Sequence, residues 1–147
     1  MKRLALVVAC VAGGALGAQP ASAALVRSEV TARATPRSDL ERPRAFRFRG
    51  TVRPRTAPVK CAPGATGVRY CALASPSDIC VGQVRVTIRR GRRTLARRTV
   101  SLKRTCTYSV RITLRRRMRH GRLHVTTGFL GNTLLAASSA GRLRLRV

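Results

Sequence analysis

From Cys106 to Leu114 the chain reads Cys-Thr-Tyr-Ser-Val-Arg-Ile-Thr-Leu, with Cys106, Tyr108, Val110, Ile112 and Leu114 on one parity and Thr107, Ser109, Arg111 and Thr113 on the other. Side chains alternate between the two faces of an extended ribbon, so unbroken alternation of apolar and polar residues predicts a strand with one buried face. An amphipathic helix would instead need apolar residues three and four apart.

The same period spreads outward in both directions. Cys80, Val84, Val86 and Ile88 oppose Gln83, Arg85, Thr87 and Arg89. Arg90, Gly91 and Arg92 then read as a hairpin turn, in which glycine supplies the positive φ. The return segment, Thr94 to Leu102, is less regular. Ala96, Val100 and Leu102 share one parity and Leu95 takes the other, which predicts a bulge near Arg97 and Arg98 or an exposed Leu95. Downstream, Leu123, Val125, Thr127 and Phe129 oppose His124 and Thr126, Gly131 and Asn132 end that run, and Leu143, Leu145 and Val147 alternate with Arg142, Arg144 and Arg146. Upstream, Phe46, Phe48 and Val52 oppose Arg47, Arg49 and Arg53, with Gly50 read as a bend and Pro54 as a stop.

Six to seven such strands, spread over about 100 residues and separated by turn signals, predict an all-β domain built as a two-sheet antiparallel sandwich. A membrane-spanning barrel would also alternate. It needs an apolar outer row with aromatic girdles, whereas here the outward row is arginine and aromatics are 3% of the chain.

The N-terminus has a different pattern. Lys2 and Arg3 precede an apolar run from Leu4 to Ala18, followed by Gln19, Pro20 and the small residues Ala21, Ser22 and Ala23. This is the three-part layout of a secretory signal peptide with cleavage after Ala23. A lipoprotein site at Cys10 would leave too short an apolar run before the cysteine, and the glycines at 13, 14 and 17 argue against an uncleaved anchor. The expected organisation is a signal peptide at 1–23, a disordered linker at 24–44, and a sandwich domain at 45–147 with a disulfide-stapled loop near 54–79. The expected location is therefore secreted or cell-envelope associated, with no transmembrane segment after cleavage.

Four cysteines remain after Cys10 leaves: Cys61, Cys71, Cys80 and Cys106. An even number in an exported chain reads as disulfides. Their spacings of 10, 9 and 26 fit no common zinc pattern. Short connections make successive strands antiparallel, so Cys80 and Cys106 both begin strands at one end of the domain. That predicts a Cys80–Cys106 bridge and leaves Cys61 with Cys71.

The same geometry gathers the arginines at the other end. Arg89, Arg90, Arg92 and Arg93 in one turn should lie beside Arg115, Arg116, Arg117, Arg119 and Arg122 in the next, forming a candidate polyanion-binding pole. The chain carries 31 Lys and Arg against 4 acidic residues, a net charge of +27 that becomes +25 once Lys2 and Arg3 are removed. Such a chain attracts anionic polymers. The alternative is that each run only solvates a loop tip and blocks edge pairing.

The stretch Cys80-Val-Gly-Gln-Val-Arg-Val, the hairpin at Gly91, the Cys106-Thr-Tyr108 strand and the ending Phe129-Leu-Gly131-Asn132 with Ser138 and Ser139 resemble bacterial immunoglobulin-like domains of exported actinobacterial proteins. The resemblance covers roughly 80–147 and implies an immunoglobulin-like sandwich used as a spacer, adhesion or binding module. It implies no catalytic residues. The Cys61 to Cys71 segment departs from the family pattern.

No constellation in the sequence points to catalysis, a metal or a cofactor. His120 and His124 lack a third ligand, since Glu29, Asp39 and Glu41 fall in the expected linker and Asp78 reads as turn chemistry. Oxidised cysteines cannot act as nucleophiles. Phe46, Phe48, Tyr108 and Phe129 all fall on inward faces, so few rings are offered to nucleic-acid bases. The expected activity is thus non-catalytic, at or near the envelope, with anionic envelope polymers or an envelope protein as partner and no sequence-specific nucleic acid. The alternative is a dedicated binder of wall polymer, acidic glycan or extracellular nucleic acid through the arginine pole. An exported enzyme would need His120 or His124 gathered with Asp78.

Overall fold

A computed structural model describes residues 25–37, 44–63, 69–114 and 120–147. The expected signal peptide and Arg115, Arg116, Arg117 and Arg119 lie outside the described residues. The chain is mostly β. Its elements are β1 (Ser28–Val30), β2 (Arg33–Thr35), β3 (Arg44–Pro54), β4 (Val59–Pro63), β5 (Arg69–Leu73), a one-turn helix α1 (Pro76–Ile79), β6 (Gln83–Arg90), β7 (Arg93–Ser101), β8 (Thr107–Leu114), β9 (Arg122–Phe129), β10 (Ser138–Ser139) and β11 (Leu143–Arg146).

Every pairing between these named strands is antiparallel. β1 and β2 follow one edge of β3 in an unbroken register, from Ser28 opposite Pro54 to Thr35 opposite Arg47. The Thr31 amide, between them, donates to the Thr51 carbonyl at 2.9 Å. β8 takes the other edge of β3, from Arg44 opposite Leu114 to Thr51 opposite Thr107. The first sheet therefore orders as the β1–β2 ribbon, β3 and β8. In the second sheet β10 and β11 follow one edge of β9, β6 takes the other, and β7 closes the far side.

The two sheets bury their alternating apolar rows in one core. Phe46, Phe48 and Val52 of β3 and Tyr108, Val110, Ile112 and Leu114 of β8 come from one sheet. Val84, Val86 and Ile88 of β6, with Leu123, Val125 and Phe129 of β9, come from the other. Val30, Leu135, Leu145 and Val147 complete the cluster. The long alternating runs form strands because only that conformation places all their apolar residues on one side.

Several expectations need correction. Residues 25–37 are not a disordered linker. Val26 forms a parallel bridge with Leu135, and β1 and β2 add a ribbon to β3. Val30 and Ser28 are buried, and the Ser28 hydroxyl donates to the Ala136 carbonyl at 2.8 Å. The segment has few apolar residues because an edge ribbon gains most of its order from main-chain bonds to a strand already in place. The 54–79 region is likewise not one loose loop. β4 and β5 form a separate hairpin with Cys61 directly opposite Cys71, and α1 follows.

Other differences are finer. The strand expected from Cys80 begins at Gln83, because Cys80 closes α1. The bulge lies at Leu95, where the register shifts between Ile88 and Arg89, not at Arg97 and Arg98. Leu95 is half-buried and packs against the core. Gly50 is a paired member of β3, opposite Tyr108 in a continuous register, rather than a corner. A Cβ there would overlap the Thr31 carbonyl and come within 2.6 Å of the Tyr108 hydroxyl, so glycine leaves room for that hydroxyl to reach Thr31.

Candidate anion-binding surfaces

The β6–β7 hairpin sets the first group of arginines. Arg90 and Arg93 form its closing pair, and Gly91 takes φ 56° in the turn, a conformation that glycine adopts without a Cβ penalty. Arg92 and Arg93 are exposed, while Arg89 lies one pair further along, opposite His124. Arg90 reaches across to the next connection and donates to the His120 carbonyl at 3.4 Å. There Gly121 and Val147 exchange main-chain hydrogen bonds of 2.7 and 3.0 Å, and Arg122 pairs with Arg146. Arg90, Arg92, Arg93, Arg122 and Arg146 thus share one end of the domain. Arg89 sits on the outer face of the second sheet instead.

The cysteines occupy the other end. Cys61 bonds Cys71, and Cys80 bonds Cys106 across a sequence separation of 26. Asp78 belongs to this end too. Its carboxylate is held below the ordinary range by a hydrogen bond from Lys60, at 2.9 Å, and then by Ser75, which it caps reciprocally. Asp78 and His120 therefore sit at opposite ends of β6, about 25 Å apart for a strand of that length. His124 lies on the outer face of the second sheet, between Arg89 and Arg144 in register. Among the described residues no group of three or more His, Cys, Asp or Glu gathers in a way that could hold a metal ion. No helix among them is long and apolar enough to cross a membrane.

A second cationic surface was not apparent from sequence. On the outer face of the first sheet Arg33 lies directly opposite Arg49, and Arg47 directly opposite Arg111. Arg47 and Arg49 are two residues apart on β3 and so share that face. An open groove of about 820 Å³ is lined by Arg33, Arg49, Arg53 and Lys103, by Thr31, Thr51 and Thr107, and by one carboxylate, Glu29. A second of about 330 Å³, lined by Thr35, Ala45, Arg47, Arg49 and Arg111, adjoins it at Arg49. The outward parity of Arg47, Arg49 and Arg111 could be read from the sequence. Their convergence depends on the pairing of β3 with both neighbours, and Arg33 stood in the expected linker.

Glu29 faces Arg53 in register and lines the same groove, and Lys60 forms a salt bridge with Asp78 at 2.9 Å. With 31 Lys and Arg against 4 acidic residues in the chain, cationic side chains outnumber their possible partners and leave a field available to anions from solution. Compared with known proteins, the chain matches no protein-family model and no curated protein.

Proposed function

We propose that the chain is an exported, non-catalytic module of immunoglobulin-like sandwich type that acts at or near the cell envelope in a structural, adhesion or binding role. One observation carries the reading, namely the interleaving of the two sheets. The β1–β2 ribbon, β3 and β8 make one sheet, while β6, β7, β9 and the β10–β11 ribbon make the other. Crossing between sheets in that order is how immunoglobulin-like sandwiches are wound. Both cysteine pairs are oxidised, as suits a compartment outside the cytosol. The separation of Asp78 from both histidines speaks against the catalytic alternative.

The test is export of the full chain from a bacterial host. The expected product is found in the envelope or medium, begins at Ala24 and has no thiol open to alkylation. Retention in the cytosol with four reactive thiols would refute the proposal.

A second reading has its own support. Arg90 and His120 join the two connections at one end of the domain, which favours a working arginine pole that binds anionic polymers. Changing Arg90, Arg92, Arg116 and Arg117 to Ser should then abolish binding to purified envelope polymer. Unchanged binding would leave that end as a solvated tip.

A further inference from the structure

We infer that the outer face of the first sheet is a binding surface for a linear polymer of tetrahedral oxyanions, phosphodiester or sulfate ester, gripped by Arg33, Arg47, Arg49 and Arg111. The inference rests on the reading of the chain as an envelope binding module and names a site and ligand class for it.

Like charges directly opposite each other on a sheet destabilise it, and this face carries two such pairs, Arg33 with Arg49 and Arg47 with Arg111. A solvated face that only needs to block aggregation could place threonine or serine at those positions, as the neighbouring Thr31–Thr51 and Thr51–Thr107 pairs do. Among the described residues Glu29, opposite Arg53, is the one carboxylate that lines this face, so stacking four guanidinium groups beside it makes sense when most of the counter-charge arrives from outside. Guanidinium suits it, because its planar fork binds two oxygens of one phosphate or sulfate at once.

The geometry suits a chain rather than a lone anion. The four arginines step diagonally over three ribbons, each about 4.8 Å from the next, with about 7 Å between Arg47 and Arg49 along β3. The two grooves meeting at Arg49 extend this line into a trough that continues toward Lys103. Hydroxyls of Thr31, Thr51, Thr107 and Ser109 line it; Thr31 and Thr51 share one hydrogen bond at 3.0 Å and Thr107 shares one with Thr105 at 2.9 Å, so one proton of each pair is taken and the other can donate to further oxygens. Among the described residues no ring is offered to the trough as a stacking platform. Tyr108 is 2% exposed and its hydroxyl is committed to the Thr31 carbonyl, while Phe46 and Phe48 are fully buried. The polymer is therefore held through its charged groups, with no recognition of bases.

The test uses the oxidised full-length mature protein and three immobilised probes: poly(glycerol phosphate), heparin and single-stranded DNA of mixed sequence. The quadruple variant Arg33→Thr, Arg47→Thr, Arg49→Thr, Arg111→Thr is compared with a charge-matched control on the second sheet, Arg85→Thr, Arg97→Thr, Arg98→Thr, Arg144→Thr. The expected result is a loss of 30-fold or more (~2 kcal/mol) for the first and under about 5-fold for the second. The slope of log affinity against log salt should fall by about 3 for the first variant alone. Relative strength across the probes identifies the source. Preference for glycerol phosphate marks a wall polymer, preference for heparin a sulfated glycan, and equal binding of DNA a phosphodiester held without regard to its bases.

Equal losses in both variants, or wild-type affinity in the first, would overturn the inference. If affinity is lost only when Arg90 and Arg92 are changed, the inference falls and the arginine-pole reading survives. If the wild-type protein binds none of the three, both fall. Melting temperature is the folding control. Relief of like-charge opposition should leave the quadruple variant at least as stable as the parent, and the single change Arg49→Thr, with an expected loss of about 5-fold (~1 kcal/mol), serves in its place if it does not fold.

Discussion

The Tyr108 hydroxyl donates a 2.7 Å hydrogen bond to the Thr31 carbonyl, over the bare Cα of Gly50, and so ties β8 to the β1–β2 ribbon across the whole width of the first sheet. Tyr108 is 2% exposed, which leaves the carbonyl dependent on this one side-chain donor at the break between β1 and β2. Replacement by phenylalanine keeps the ring and removes the donor. Tyr108→Phe should therefore cost about 1–2 kcal/mol. Gly50→Ala should cost more, about 3 kcal/mol, because a methyl group overlaps the Thr31 main chain and displaces the ribbon. Urea denaturation measures both, and equal stability of the Gly50→Ala protein would show that the ribbon is not anchored there.

The same burial has a pH consequence. It pushes the Tyr108 hydroxyl up to about 12, from an ordinary value of 10.0. A group whose folded value is raised stabilises the fold fully below its unfolded value and loses that contribution as pH rises through the folded one. Stability should thus fall between pH 10 and about 12, by roughly 2–3 kcal/mol from this group. The chain has two tyrosines, so Tyr70→Phe leaves Tyr108 alone in an ultraviolet absorbance titration. A midpoint near 10 in the folded protein would contradict the burial described here.

How much of this was legible beforehand depended on the kind of residue involved. β3, β6, β8, β9 and β11 were readable because each carries at least two apolar residues at even spacing, and periodicity reports a buried face directly. The pairing of Cys80 with Cys106 followed from strand direction alone. β1 and β2 were not readable, since Ser28 to Thr35 contributes Val30 as its main apolar residue and owes its place to main-chain bonds with β3. The β4–β5 hairpin escaped for a related reason. It forms a sheet of its own, and Val59 and Leu73, its paired ends, are 47% and 73% exposed, so no core-facing pattern marks it. The cationic trough was half visible. Alternation shows which arginines point outward, but only the registers of β2 with β3 and β3 with β8 bring Arg33 and Arg111 to the same place.

Opposed arginines make stability respond to salt. Arg33 with Arg49, Arg47 with Arg111, and Arg122 with Arg146 are like-charged cross-strand pairs, and added electrolyte screens repulsion between exposed charges. Melting temperature should rise with sodium chloride and rise further with sodium sulfate at equal ionic strength, because a tetrahedral divalent anion can also bridge guanidinium groups. A melting temperature that is flat or falls with salt would mean the arginines are already compensated.

Asn132 holds two connections together through its amide. Its Nδ2 donates to the Ile79 and Val81 carbonyls at 3.1 and 2.7 Å, and its Oδ1 accepts from the Leu134 and Leu135 amides at 2.8 and 2.7 Å. A carboxylate keeps the two acceptor bonds and turns the other two contacts into repulsion. Asn132→Asp should cost about 3 kcal/mol at neutral pH, with partial recovery under acid conditions as the protonated group regains a donor. Asn132→Ala should show no such recovery. Denaturation midpoints for the two variants across the acid range measure the difference, and parallel curves would refute the assignment.

The two disulfides should behave differently when removed. Cys80–Cys106 links the residue that closes α1 to the turn that opens β8, so its loop of 26 residues encloses β6 and β7 of the second sheet and ties their start to the first. Closing such a loop restricts the unfolded chain by about 3 kcal/mol, and the paired Cys80→Ala, Cys106→Ala variant should lose that much global stability. Cys61–Cys71 lies within the β4–β5 hairpin, which forms a sheet of its own. An isolated two-stranded hairpin is marginal in water, so without its bridge this one should open while the core stays folded. Amide exchange should therefore show protection lost across 59–73 in the Cys61→Ala, Cys71→Ala variant, with the cooperative unfolding transition shifted by less than about 1 kcal/mol. If that variant instead unfolds as early as the Cys80 and Cys106 pair, the hairpin belongs to the same cooperative unit as the sheets.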